Sequence, residues 1–214
     1  MNFKNKKNIM NVSRLFYLFL VLFFLGGTPV LASSGPTESL KPTLQGMIDI
    51  LCDPAFKGKE HKELRREKIM AIVGEGFDFE EMSKLVLGRT WKKIDTQQRE
   101  YFEQLFTKLL ENAYIGKLEK YSGQEIIYKD ERIKGKKAAV STVVQSDGTP
   151  PLPVNYVMIE ASSGWQVYDI NIEGVSLLRN YREQFKSILR KEKFEGLIKV
   201  LEDKNTSFGE EGSR

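Results

Sequence analysis

LPVNYVMIEASSGWQVYDINIEGVSLLRNYREQF, residues 152–185, changes its periodicity once, after Gly174. Two runs rich in Val, Ile, Tyr and Trp flank Ser-Ser-Gly, the pattern of two strands joined by a turn. After Gly174 the apolar positions respace to Leu177, Leu178, Tyr181 and Phe185, which is helical spacing, with Ser176 placed to cap the first turn. Upstream, EIIYKDERIK (125–134) and KAAVSTVVQS (137–146) also read as strands, and SDGTP supplies the turn before residue 152. About four strands in succession with no helix between them predict an antiparallel sheet, and hence an α+β fold.

Both alternating sets of these strands carry apolar residues. Val154, Tyr156 and Met158 point one way, Val157 and Ile159 the other, and strict alternation sets Trp165 and Val167 against Tyr168, Ile170 and Ile172. A half-buried sheet would show one polar face. Here each face must be covered by helices, a partner or an apolar ligand.

Helices are predicted on either side of the strands. Leu40, Leu44, Met47, Ile48 and Leu51 share one face over 39–51, and a second helix covers 60–75 with Ile69, Met70, Ile72 and Val73 inward. A short helix spans 77–88 with Asp78 as its cap. The longest begins after Ile94, where Asp95 and Gln98 have capping-box spacing. Its stripe of Phe102, Leu105, Phe106, Leu109, Leu110, Ala113, Tyr114 and Leu118 is wide enough for packing or for a cavity wall. The helix after Ser176 is expected to break near Lys191 and to resume through Phe194, Leu197, Ile198 and Leu201. Residues 203–214 read as a flexible tail.

The N-terminus indicates location. Lys4, Lys6, Lys7 and Arg14 precede eleven apolar residues, LFYLFLVLFFL (15–25), and then GGTPVLA, with Val30 and Ala32 at −3 and −1 of a cleavage point before Ser33. This is the grammar of a signal peptide over 1–32. At ~1.5 Å per residue the apolar run falls short of a roughly 30 Å hydrocarbon core. Without the leader's four cations the remainder holds 29 basic and 29 acidic residues, so the basic balance is no sign of nucleic-acid binding. Cys52 is the only cysteine, which excludes an intrachain disulfide, and an exported domain without staples fits a periplasm.

Catalytic material is sparse. His61 is the only histidine and lies in the charged run KEHKELRREK; one His and one Cys cannot build a zinc cluster. Asp169 with Glu173 is a carboxylate pair, but Asp169 is better placed to serve the strand end or to pair with Arg179 or Arg182. No catalytic residue, metal site or cofactor is expected. Trp91 and Trp165 are expected as helix-to-sheet anchors, and Gly174 as the residue permitting the turn before Ser176.

Two stretches carry a resemblance. FDFEEMSKLVLGRTWKKIDTQQREYFEQLFTKLLENAY (77–114) resembles the signature region of the MlaC family, also called toluene-tolerance or organic-solvent-resistance auxiliary proteins, through Phe77-Asp78, Leu87-Gly88, Trp91, Thr96, Gln98 and the Phe102–Phe106 stripe. GWQVYDINIEGVSLLRNYREQF (164–185) resembles the same family through Trp165, Asp169, Glu173 to Ser176, Tyr181-Arg182, Gln184 and Phe185. The resemblance implies a noncatalytic periplasmic carrier whose helices pack around a curved antiparallel sheet and enclose an apolar cavity for phospholipid. It implies shuttling between an outer-membrane lipoprotein complex and an inner-membrane ABC transporter with an MCE-domain subunit, maintaining outer-membrane lipid asymmetry. The strand and helix that meet at Gly174 would then be two walls of one container. Leu109, Ala113, Val140, Tyr156 and Met158 sample the expected cavity wall. A second reading stays open: an adaptor whose apolar groove takes a partner's peptide.

Overall fold

The computed structural model describes residues 34–212, so the predicted signal peptide lies outside the described residues. Helices α1 (Pro36–Cys52), α2 (Lys62–Gly76), α3 (Phe79–Leu87) and α4 (Thr96–Leu118) precede strands β1 (Glu125–Lys134), β2 (Lys137–Gln145), β3 (Leu152–Ala161), β4 (Gly164–Ile172) and β5 (Val175–Ser176). Helix α5 (Leu177–Gly212) closes the order. The strands form one antiparallel sheet in sequence order. Five strands rather than four result because Val175-Ser176 folds back on Asn171-Ile172 before the last helix starts.

Local chemistry sets the helix starts. Asp78 accepts from Glu81 N at 2.8 Å, and Asp95 with Gln98 forms a complete capping box at α4. Glu131 of β1 accepts from Thr37 N at 2.7 Å, placing a carboxylate at the positive end of α1. Helix α5 is interrupted at Lys193 (φ 59°, ψ −161°), two residues beyond the expected break. It then continues to Gly212, past the point at which a tail is expected. Asn205 accounts for the extension: its amide donates to Leu105 O at 3.0 Å and its oxygen accepts from Asn112 at 3.2 Å, tying this segment to α4.

Two apolar clusters lie on the two faces of the sheet. The first joins α3, α4 and α5 to Tyr168, with Val157 and Ile159 packed against it. Phe102, Phe106, Tyr181, Phe185 and Phe194 interlock there at ring separations of 5.5 to 6.3 Å. The second joins Leu40, Leu44 and Met47 of α1, Ile69 of α2 and Ile115 of α4 to Val140, Val154, Tyr156, Met158, Trp165 and Val167. Phe77 packs against both and pairs with β4, where Asp78 N donates to Val167 O at 2.9 Å.

The face assignment of β4 departs from simple alternation. Val157 faces Asp169 while Met158 faces Val167, so Tyr168 is an extra residue in β4. This bulge flips the parity of everything after it. Ile170 and Ile172, expected with Tyr168, instead share the face of Trp165 and Val167 and pack against the second cluster. Along α4 a comparable shift occurs. Ile115, outside the expected stripe, is 3% exposed, whereas Leu118 within it is 37% exposed. Near its end the helix contributes Tyr114 to the first cluster and Ile115 to the second.

Candidate functional site

The expected wall residues divide between the clusters. Val140 and Tyr156 are direct cross-strand partners, and Met158 stands two residues along opposite Ala138, so these three form one patch in the second cluster. Leu109 is buried in the first cluster with Phe106 and Leu110. Ala113 is half-buried on α4 between Leu110, which belongs to the first cluster, and Ile115, which belongs to the second. The structure therefore brings Val140, Tyr156 and Met158 together and sets Leu109 apart.

Burial in these clusters is apolar enough to raise the phenols. Tyr156 lies deep in the second cluster and its hydroxyl is pushed far up by desolvation, with a small contribution from Tyr128. In the first cluster Tyr181 is pushed up to about 12, chiefly by desolvation and then by the adjoining Tyr114. Both remain neutral at any physiological pH, and neither is a candidate base.

Trp91 and Trp165 are buried on opposite faces, Trp91 with the α3–α5 cluster and Trp165 with the α1–α2 cluster. Arg99 lies 5.3 Å from the Trp91 ring and its Nε donates to Trp91 O at 3.0 Å.

The strand-to-helix junction is held by Asp169. Its Oδ2 accepts from Ser176 Oγ at 2.6 Å and its Oδ1 from Leu178 N at 3.0 Å. Ser176 Oγ in turn accepts from Arg179 N at 3.0 Å, the N-cap interaction. The turn between β4 and β5 has positive φ at both central residues, 50° at Glu173 and 83° at Gly174, the requirement of a tight two-residue hairpin. An ion pair from Asp169 to Arg179 or Arg182 is not formed. Both carboxylate oxygens are engaged by the junction. Arg179 and Arg182 instead line a cleft of about 410 Å³ over Leu85, Tyr168 and Leu178.

A second cleft, of about 380 Å³, opens where α1 ends. Leu51, Phe56 and Tyr121 supply its apolar lining, and Lys57, Lys59, Lys62 and Arg65 its cations. Glu119 accepts from Arg65 at 2.7 Å and from Arg66 at 2.9 Å. Burial pushes the Glu119 carboxyl up, but the two guanidinium groups outweigh it and hold the group below its ordinary range. The signal for this basic cleft in the sequence is Lys57, Lys59 and Lys62, closely spaced in one loop and helix start. What could not be read was that Arg65 reaches back to fold it. Among the described residues no group of three or more His, Cys, Asp or Glu is placed to hold a metal ion, and no helix is long and apolar enough to cross a membrane.

The family model described as MlaC protein matches residues 41–203, from within α1 to the last helix. The chain belongs to the MlaC protein family. It is 23% identical over 202 residues to the Intermembrane phospholipid transport system binding protein MlaC of Haemophilus influenzae, covering 91% of this chain and 94% of that protein. It is 22% identical over 175 residues to the Toluene tolerance protein ttg2D of Pseudomonas putida, covering 80% and 81%. The fold is shared with a phospholipid-binding protein from Ralstonia solanacearum, solved in complex with a phospholipid, at a TM-score of 0.72 and 24% identity over 82% of this chain and 99% of that one. The MlaC match thus spans both stretches that carry the resemblance, the α3–α4 region and the β4–α5 junction.

Proposed function

We propose that this protein is a noncatalytic periplasmic carrier that binds glycerophospholipid by its acyl chains and moves it between membrane complexes. The observation supporting this most directly is the family match over residues 41–203, joined by relatives named for intermembrane phospholipid transport and toluene tolerance. The partners under this reading are an outer-membrane lipoprotein complex and an inner-membrane ABC transporter with an MCE-domain subunit, and the outcome is maintained outer-membrane lipid asymmetry.

The acyl chains are taken to lie between a curved sheet and the helices, parting the second cluster. Val140, Tyr156 and Met158 form the sheet wall of that compartment, opposite Leu40, Leu44 and Met47 of α1. Ala113 marks the crossing of α4 toward it, and Leu109 braces the helix from the other cluster. At about 0.8 kcal/mol per methylene, two chains of about 15 methylenes represent roughly 24 kcal/mol of transfer from water, above the ceiling of roughly 18–21 kcal/mol for noncovalent binding. The relevant exchange is therefore from bilayer to protein, where both states hide the chains and the difference is small. Such balance permits loading and unloading but supplies no direction, which the partners must provide.

Native mass spectrometry of the exported protein, purified without added lipid, tests the reading. A carrier retains species with the masses of intact glycerophospholipids. Lipid-free protein that also takes no labelled phospholipid from vesicles would refute it, and tight binding of a partner peptide by such protein would favour the adaptor.

A further inference from the structure

We infer that the cleft at the end of α1 is a phosphate-recognition site, built from Lys57 and Lys59 at its rim and Leu51 and Tyr121 on its floor. The assignment to a lipid headgroup rests on the carrier reading; the anion chemistry does not.

The loop that bears the lysines is held in place by one side chain. Arg65 Nη1 donates to Phe56 O at 2.6 Å and to Gly58 O at 3.2 Å, while Nη2 holds Glu119 at 2.7 Å. One guanidinium thus clamps both sides of Lys57 to the helical body. Gly58, at φ +94°, permits the sharp bend that leaves Lys57 and Lys59 exposed on the rim. The carboxylate lining the cleft, Glu119, is bound by both Arg65 and Arg66. The guanidinium groups thus take up Glu119, and Lys57 and Lys59 are left exposed at the rim. Lysine presents three rotatable donors, suited to a phosphate as a point charge.

Position joins this charge to the apolar compartment. Leu51 lines the cleft and packs against the second cluster. The N-terminus of α1 meets Glu131, near the far end of β1, whereas Tyr121 lies just before β1 begins. The C-terminus of α1 and the cleft consequently sit at the sheet end formed by Glu125, Gln145 and Leu152. An amphiphile whose chains lie between α1 and the sheet would bring its phosphate to this loop. Glu60 folds its carboxylate against Gly58 and is the local competitor for an incoming anion.

The test uses delipidated full mature protein and two-dimensional NMR titration with three probes: dihexanoyl phosphatidylglycerol, dihexanoylglycerol and glycerol 3-phosphate. Wild type is expected to prefer the phosphate-bearing lipid over dihexanoylglycerol. In K57Q/K59Q that preference should fall by about tenfold or more, given the strength of charge-assisted hydrogen bonds. It should persist in K186Q/R190Q, which removes two cations elsewhere, and rise in E60Q. Raised ionic strength should weaken it. Unchanged urea midpoints establish that the exposed lysines were not needed for folding. Glycerol 3-phosphate binding at the loop without any phosphate-dependent gain for the lipid would support the anion site and assign it to free phosphate esters. A phosphate preference of wild type for the lipid that K57Q/K59Q retains in full, or no response of the loop to either phosphate probe, overturns the inference. Retention of long-chain lipid is read separately by native mass spectrometry. Retained lipid with an unresponsive loop sinks the site and spares the carrier; the converse sinks the carrier and spares the site.

Discussion

Asp169→Ala should weaken the fold through the β4–α5 junction. The substitution removes the acceptor of two hydrogen bonds, from Ser176 Oγ at 2.6 Å and Leu178 N at 3.0 Å. It also removes a negative charge from the positive end of α5. Hydrogen bonds to charged groups contribute about 1.5–3 kcal/mol each, and a carboxylate at a helix start about 0.3–1 kcal/mol. These are not additive: Asp169 is only part-buried, and Ser176 Oγ keeps its bond from Arg179 N. The net loss should be about 2–3 kcal/mol, which at a urea m-value of about 2 kcal/mol/M lowers the midpoint by about 1 M. Asp169→Asn separates acceptor geometry from charge. Its oxygen can still accept from Leu178 N and its amide can donate to Ser176 Oγ, so a loss of about 1 kcal/mol is expected. Urea unfolding followed by tryptophan fluorescence and by circular dichroism reads both. An Asp169→Ala midpoint within about 0.2 M of wild type, or an Asn variant as damaged as the Ala variant, refutes the junction argument.

At the neighbouring turn, Gly174→Val places a β-branched side chain at φ +83° and should cost about 1–2 kcal/mol or more, whereas Glu173→Gly at φ +50° should be neutral or stabilising; thermal melts distinguish them. Trp91→Ala and Trp165→Ala should each cost about 3–5 kcal/mol in denaturant titrations, since both rings are buried; near-wild-type midpoints would remove them as anchors. Glu119 has a depressed carboxyl, so its contribution is present above the ordinary carboxylate range and is lost as pH falls through its folded value. The stability gap between wild type and Glu119→Gln should therefore be flat above about pH 5 and close on acidification; a gap that widens in acid would contradict the guanidinium pairing. Intact-mass measurement of native exported protein should place the N-terminus near Ser33, and a mass retaining residues 1–32 would count against the predicted leader.

The order of helices and strands was legible because it depends on local interactions. Asp78 and Asp95 cap helices through bonds to residues three positions away, and Gly174 turns the chain through its own backbone freedom. Composition likewise showed an apolar surplus on both faces of the strands, and helices cover both. The family was legible too, from two long stretches whose residue order and spacing agree. Pairing register was beyond the sequence, because it is set between segments distant along the chain. The extra residue at Tyr168 exists only in relation to β3, and it alone decides that Ile170 and Ile172 join Trp165 and Val167. The separation of Leu109 from Val140, Tyr156 and Met158 has the same origin: α4 is one continuous helix, but what it faces changes along its length. The basic cleft is likewise a tertiary product. Lys57 and Lys59 are visible as charges, but only Arg65, reaching back to Phe56 and Gly58 while gripping Glu119, determines where they stand.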